Sequence, residues 1–149
     1  MPPLRFSLAH TEGLVALAVT LRSAVGIDVE PRSRRVTVHE IARRFFSPSE
    51  AAALDALPPE QQPDAFLDYW TLKEAYVKAT GLGLHAPLER FSFARTSPPV
   101  IVFAPGIDDE PSAWQFARLD LGADHVAALA VRRPDPPRIA YFMAQFGVS

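Results

Sequence analysis

The segment PEQQPDAFLDYWTLKEAYVKATGLG, residues 59–83, constrains this chain more than any other. Its prolines and acidic first turn mark a helix start, its interior carries strong helix formers, and Gly81 marks the stop. Tyr69, Leu72, Tyr76 and Ala79 fall on one stripe of that helix, which predicts the face turned to the core. The segments on either side read differently. LRFSLAH and LVALAVTL are apolar runs around the turn HTEG, and AVGIDVE follows after RS, so the opening reads as a β-meander. Downstream, RFSFAR, PVIVFA, AWQFARLDL and HVAALAVR read as four more strands separated by Pro, Gly and Asp turns.

Between the two groups of strands, VHEIARRFFSPSEAAALDAL has helical spacing broken at Ser47-Pro48, where serine caps and proline opens a second short helix. The order strands, helices, strands predicts an α+β domain in which a largely antiparallel sheet packs against the long helix. With 149 residues the chain fits one domain, residues 1–149, and no repeat, linker or low-complexity block divides it. Fifteen prolines punctuate the loops and the tail RRPDPPR.

Composition removes several function classes. A formal charge of −2 leaves no basic stripe for nucleic acid. There is no cysteine, which excludes disulfides, thiolate catalysis and cysteine-ligated zinc, and the four histidines lack zinc-like spacing. No run approaches the roughly 18 apolar residues of a membrane span, and the start carries no secretory pattern. A cytoplasmic protein with no membrane partner is expected.

Two stretches carry chemistry. In VGIDVEP, Asp28 and Glu30 lie two apart on a strand and point the same way, while Ile27 and Val29 point the other. The simplest account is a wet strand face. In WTLKEAYVK, Trp70, Glu74, Val77 and Lys78 share a helical sector that Lys73 borders, and Glu74 with Lys78 has the spacing of a surface ion pair. If the helix packs near the end of the strand, Glu74 brings a third carboxylate to the same point. Three hard oxygen donors there suit an octahedral magnesium ion, with lysines as phosphate-binding charges.

GIDVE, RFFSPSE and WTLKEAYVKATGLGL, in that order, resemble the signature segments of the 4′-phosphopantetheinyl transferases of the Sfp type, and FSLAHTEG resembles their strand-histidine-turn segment. The resemblance covers about residues 4 to 95. It implies a single half-unit of that fold and transfer of 4′-phosphopantetheine from coenzyme A to a serine of an apo carrier protein, leaving adenosine 3′,5′-bisphosphate. Asp28, Glu30 and Glu74 would then hold Mg2+, with Mn2+ as a substitute. Lys78 would act at the phosphates or on the departing oxygen, Lys73 would support coenzyme A binding, and His10 would lie near its phosphates. The serine proton would pass to Glu74, directly or through a metal-bound water.

Where such enzymes carry serine before the histidine, this chain has Ala9, and it resembles only their second half. Each site is therefore expected to be completed by a neighbour in a homo-oligomer, a dimer or trimer, as in the shorter AcpS-type branch. An alternative is a weakly active or inactive homologue that binds coenzyme A or a carrier protein as a regulatory subunit. The arginines Arg32, Arg34, Arg35, Arg43 and Arg44 are solvated charges or a docking surface for an acidic carrier or a coenzyme A phosphate. Phe45 and Phe46 are expected in the core, as are Trp114 and Phe116.

Overall fold

A computed structural model describes residues 3–34, 37–119 and 121–133, together with residues 135, 140, 142 and 144. Arg35 and most of the tail RRPDPPR lie outside the described residues. The elements run β1 (Leu4–Thr11), β2 (Leu14–Leu21), β3 (Val25–Pro31), α1 (Val38–Phe45), α2 (Pro48–Asp55), α3 (Gln62–Thr80), β4 (Phe91–Ala94), β5 (Val100–Phe103), β6 (Trp114–Leu119) and β7 (His125–Arg132). The α+β class and the order of elements are those expected from the sequence. No helix among the described residues is long and apolar enough to cross a membrane.

The strands pair in three antiparallel groups, β1–β2, β3–β7–β6 and β4–β5, rather than in one sheet. The opening meander is therefore corrected at β3. That strand pairs with β7, placing Ile27 opposite Leu129 and Asp28 opposite Ala128. Its link to β1 runs through a side chain, because the N–H of Ile27 donates to Ser7 Oγ at 3.0 Å.

Period-two alternation sorts the central sheet into two faces. Val126, Ala128 and Ala130 of β7 join α3, Trp114 and Phe116 in the main core. Val25, Ile27, Val29, Ala127, Leu129 and Val131 turn to the other side, where Ala9 and the partly buried Leu14, Ala16 and Ala18 of the β1–β2 hairpin meet them. Asp28 and Glu30 are thus on the α3 side of β3.

Helix α3 follows the expected pattern. A 3₁₀ turn at Pro59–Gln61 leads into it, and Gly81 ends it in the left-handed region at φ 75°. Tyr69, Leu72 and Tyr76 are buried in the core with Trp114, Phe116 and Phe46, while Ala79 and Phe45 pack partly buried at its edge. Ser47 and Glu50 close a capping box at the start of α2.

One contact sets the depth at which β3 meets α3. A Cβ at Gly26 would run into the backbone carbonyl oxygen of Ala75 and stand 2.7 Å from the nitrogen of Ala79. Glycine on the strand and alanines on the helix let the two backbones touch. That close approach brings the acids of β3 alongside Glu74 and Lys78.

Candidate active site

At the end of β3, Asp28 is 7% exposed and one of its oxygens, Oδ1, accepts from Lys78 Nζ at 3.2 Å. The same ammonium donates to the carbonyl of Ile27 at 3.0 Å. The other oxygen, Oδ2, is buried without a hydrogen-bond partner. Burial raises the Asp28 carboxyl to about 7; Lys78 opposes the rise, while Glu30 and Glu74 add to it. Glu30 Oε1 accepts from Arg34 Nη1 at 2.6 Å and from Trp70 Nε1 at 3.1 Å. The Arg34 guanidinium also lies 5.4 Å from the Trp70 ring centroid. Glu74 is likewise raised by burial, with Lys78 and Arg34 lowering it and Glu30 raising it. The three carboxylates and two cations therefore occupy one electrostatic neighbourhood.

Beside it opens a groove of about 700 Å³ lined by Trp70, Glu74 and Lys78 of α3, by Arg44, and by Leu88 and Glu89 of the loop after α3. That volume lies within the range of small-molecule pockets. Arg44 stands over Phe45, its guanidinium 5.2 Å from the ring centroid.

The three acids do not converge as a ligand cluster in this arrangement: among the described residues no group of three His, Cys, Asp or Glu side chains is placed to hold a metal ion. Arg34 and Trp70 hold Glu30, and Lys78 holds half of Asp28. The donor chemistry nonetheless fits a hard divalent cation. Asp28 Oδ2 is a buried oxygen with no partner, beside two further carboxylates.

Two expected site residues are placed elsewhere. Lys73 does not enter the groove, which corrects its expected contact with coenzyme A. It is fully buried and pairs with Glu50 Oε1 at 2.8 Å. Its ammonium also donates to the carbonyls of Leu88 and Phe91 and sits 4.2 Å from the Phe91 ring centroid. Its neighbour Glu74 points the other way because adjacent helical residues lie about 100° apart. His10 is exposed on β1 opposite Val15, on the strand face away from the central core, and does not line the groove. Ala9, where the resembled enzymes carry serine, is 3% exposed and turned into the apolar cluster with Val29.

Sequence reasoning missed the tie between Arg34, Glu30 and Trp70, and it missed Glu50. The second had a signal, since S-x-x-E before an apolar run is a capping box. The first had none, because nothing in PRSRR sets Arg34 apart from its neighbours.

The model of the 4′-phosphopantetheinyl transferase superfamily matches residues 24–130. The 4′-phosphopantetheinyl transferase HetI of Nostoc sp. is 39% identical over 130 residues, covering 86% of this chain and 52% of that protein. The transferase Sfp of Bacillus subtilis is 36% identical over 92 residues, covering 62% of this chain and 40% of that protein. The chain thus spans about half the length of the curated relatives it matches. In fold it is similar to the holo-[acyl-carrier-protein] synthase of Thermotoga maritima, with a TM-score of 0.58 at 21% identity over 75% of this chain and 64% of the other. A holo-(acyl-carrier-protein) synthase from Bacillus anthracis, solved in complex with CoA (3′,5′-ADP), aligns with a TM-score of 0.56 at 14% identity, over 75% of this chain and 96% of that one. By motif, match and fold, this chain belongs to the 4′-phosphopantetheinyl transferase superfamily.

Proposed function

We propose that the protein transfers the 4′-phosphopantetheine group from coenzyme A to a serine of an apo carrier protein. One observation carries the reading: Asp28, Glu30, Glu74 and Lys78 share one electrostatic neighbourhood beside a groove of about 700 Å³ that Glu74 and Lys78 line, in a chain of this family. In the transfer the carrier serine Oγ forms a bond to the phosphorus of the phosphopantetheinyl group. The bond from that phosphorus to the bridging oxygen of adenosine 3′,5′-bisphosphate breaks, and the serine proton passes to a base. Glu74, held above the usual carboxylate range and lining the groove, is the base in this reading. Lys78 neutralises charge on the departing phosphate.

Asp28, Glu30 and Glu74 would hold Mg2+, with Mn2+ able to replace it. The ion would supply charge neutralisation of the pyrophosphate and orient it for in-line attack. Asp28 and Glu30 would have to exchange Lys78 and Arg34 for the ion, which frees both cations for phosphate. His10 would approach those phosphates from β1. In this reading the chain works in the cytoplasm as a homo-oligomer whose neighbour completes the coenzyme A site.

A second reading, a regulatory subunit that binds coenzyme A or a carrier without transfer, draws support from the ion pairs that close the acids. Intact mass of an apo carrier incubated with coenzyme A, Mg2+ and this protein separates the two. A gain of one phosphopantetheine is expected. An unchanged carrier, with coenzyme A retained by the protein, would establish the binding subunit instead.

A further inference from the structure

The central sheet ends at β6, and no strand among the described residues pairs with its outer edge. Successive residues of an antiparallel strand aim their backbone groups alternately at one neighbour and the other. The N–H of Arg132 donates to the carbonyl of Ala24, so Arg132, Ala130 and Ala128 of β7 bond the β3 side. Leu129 and Val131 are left to bond Ala117 and Gln115 of β6. Phe116 and Arg118 therefore turn their N–H and C=O groups outward. A cavity of about 440 Å³ borders this edge, lined by Phe116, Ala117 and Arg118 and by residues 96–99 of the loop before β5. That loop, TSPP, is poorly suited to extend the ladder, because Pro98 and Pro99 have no N–H to donate. It is tied to β6 through a side chain, with Arg118 Nη2 donating to the carbonyl of Thr96 at 3.2 Å. Two arginines here share one carboxylate. Arg95 Nη2 donates to Asp68 Oδ2 at 3.1 Å, and Arg118 Nη1 lies 3.7 Å from the same oxygen, beyond hydrogen-bond reach. The two arginine side chains are 32% and 35% exposed, and Asp68 offsets only one of their two charges.

We propose that the outer edge of β6 receives an extended acidic segment of another protein as an added strand. The outward N–H and C=O groups of Phe116 and Arg118 supply the ladder bonds, and the excess charge of Arg95 and Arg118 pairs with a carboxylate of the segment. Side chains of an added strand alternate between faces, so an acidic residue at every second position meets the arginines while apolar residues between them fall on the side of Ala117. Charge favours such a segment over a second copy, since pairing β6 with β6 about these outward groups sets the arginines of one chain beside those of the other. None of these residues lines the candidate active-site groove, so the surface is separate from the transfer chemistry.

The probe is a fluorescein-labelled octapeptide of alternating glutamate and valine, titrated into the full chain without coenzyme A or a carrier. Its anisotropy is expected to rise, and hydrogen exchange at the Phe116 and Arg118 amides to slow at least tenfold. Arg95→Ala with Arg118→Ala is expected to weaken binding at least tenfold. Two control peptides use the wild-type chain and so need no variant to fold. The same peptide with lysine for glutamate, and its fully N-methylated form, which has no N–H donor, are both expected not to bind. No binding of the glutamate–valine peptide at millimolar concentration would overturn the proposal. Equal binding of the N-methylated peptide would leave only a nonspecific anion site, and unchanged affinity in the double arginine variant would place the peptide elsewhere; either result overturns the added strand. Slow exchange at Phe116 and Arg118 that needs no peptide and grows with chain concentration would assign the edge to a second copy, and overturn it as well.

Discussion

Helix α3 carries two lysines five residues apart, each paired with a carboxylate from another element, and the two pairs are built to opposite specifications. Lys73 and Glu50 have side-chain exposures of 0% and 1%, and every direction around them is answered. Glu50 accepts the N–H of Ser47 and of Phe93, and Lys73 reaches two carbonyls and the Phe91 ring. Lys78 and Asp28 have side-chain exposures of 33% and 10%, border an open groove, and leave Asp28 Oδ2 unanswered. Five residues turn the helix by about 140°, enough to aim one ammonium into the core and the other at the groove. A buried pair with all its hydrogen bonds made is a structural tie. An incompletely satisfied pair beside a groove has room for another occupant, which is why it is the functional candidate.

The widest expected gap between the pairs is in stability. Glu50→Ala strands the Lys73 ammonium without its counter-charge and removes the α2 cap, so urea unfolding is expected to show a loss of about 3–5 kcal/mol. Glu50→Leu combined with Lys73→Met, which empties the site of charge, should recover most of that. If Glu50→Ala instead unfolds like the wild type, the structural assignment of the Lys73 pair fails. The open pair should fail differently. Glu74→Gln is expected to lower phosphopantetheine transfer by about 10²–10⁴-fold, as loss of a general base does. Its unfolding free energy in urea should change by no more than about 0.5 kcal/mol. Full activity in that variant would remove Glu74 from the chemistry.

The contrast also explains what could be read from sequence. Helix α3, its start and its stop at Gly81, the capped α2 and all seven strands follow from local patterns, because prolines, caps and periodicity act within a few residues. The proximity of β3 to α3 was a conditional expectation, and its cause is visible in one letter. Gly26 matters because Ala75 and Ala79 lie against it, a contact across roughly fifty positions that no local rule contains. Lys73 was misplaced for a related reason. Beside Glu74 in KEA it looks like a second phosphate ligand, and only the arrival of Glu50 from α2 turns it inward. The pairing of β3 with β7 rather than β2 is likewise a long-range outcome, since a strand's partner is set by which face it buries.

Asp28 makes the difference titratable. Its carboxyl is raised from 3.8 to about 7 by burial, so between those values the folded chain holds a proton that the unfolded chain has released. Stability from this group is therefore complete below about pH 4 and lost as the pH rises to about 7. The shift corresponds to at most about 4 kcal/mol, and Glu74, raised for the same cause, adds a slope of the same sign. In the absence of divalent ions, urea unfolding of the wild type should weaken across this window relative to Asp28→Asn, which has no such group. Millimolar Mg2+ at neutral pH should return the lost stability to the wild type and not to Asp28→Asn. A wild-type profile parallel to that of the variant would show that Lys78 alone satisfies the carboxylate.

The smallest expected effect concerns Arg34, which distinguishes a groove-side tie from a core tie most sharply. Its pair with Glu30 is short, 2.6 Å, yet the Arg34 side chain is 30% exposed and Glu30 keeps a second donor in Trp70. Arg34→Ala should therefore cost no more than about 1 kcal/mol, since water reaches the pair and the indole N–H remains. The same substitution removes a cation that competes for Glu30 and lowers the local positive charge. Mn2+ binding, followed by calorimetry on the coenzyme-free chain, is expected to tighten a few-fold. A loss of several kcal/mol would make Arg34–Glu30 a second structural tie like Lys73–Glu50. Weaker Mn2+ binding with little loss of stability would instead mean that Arg34 holds Glu30 in the orientation the ion requires.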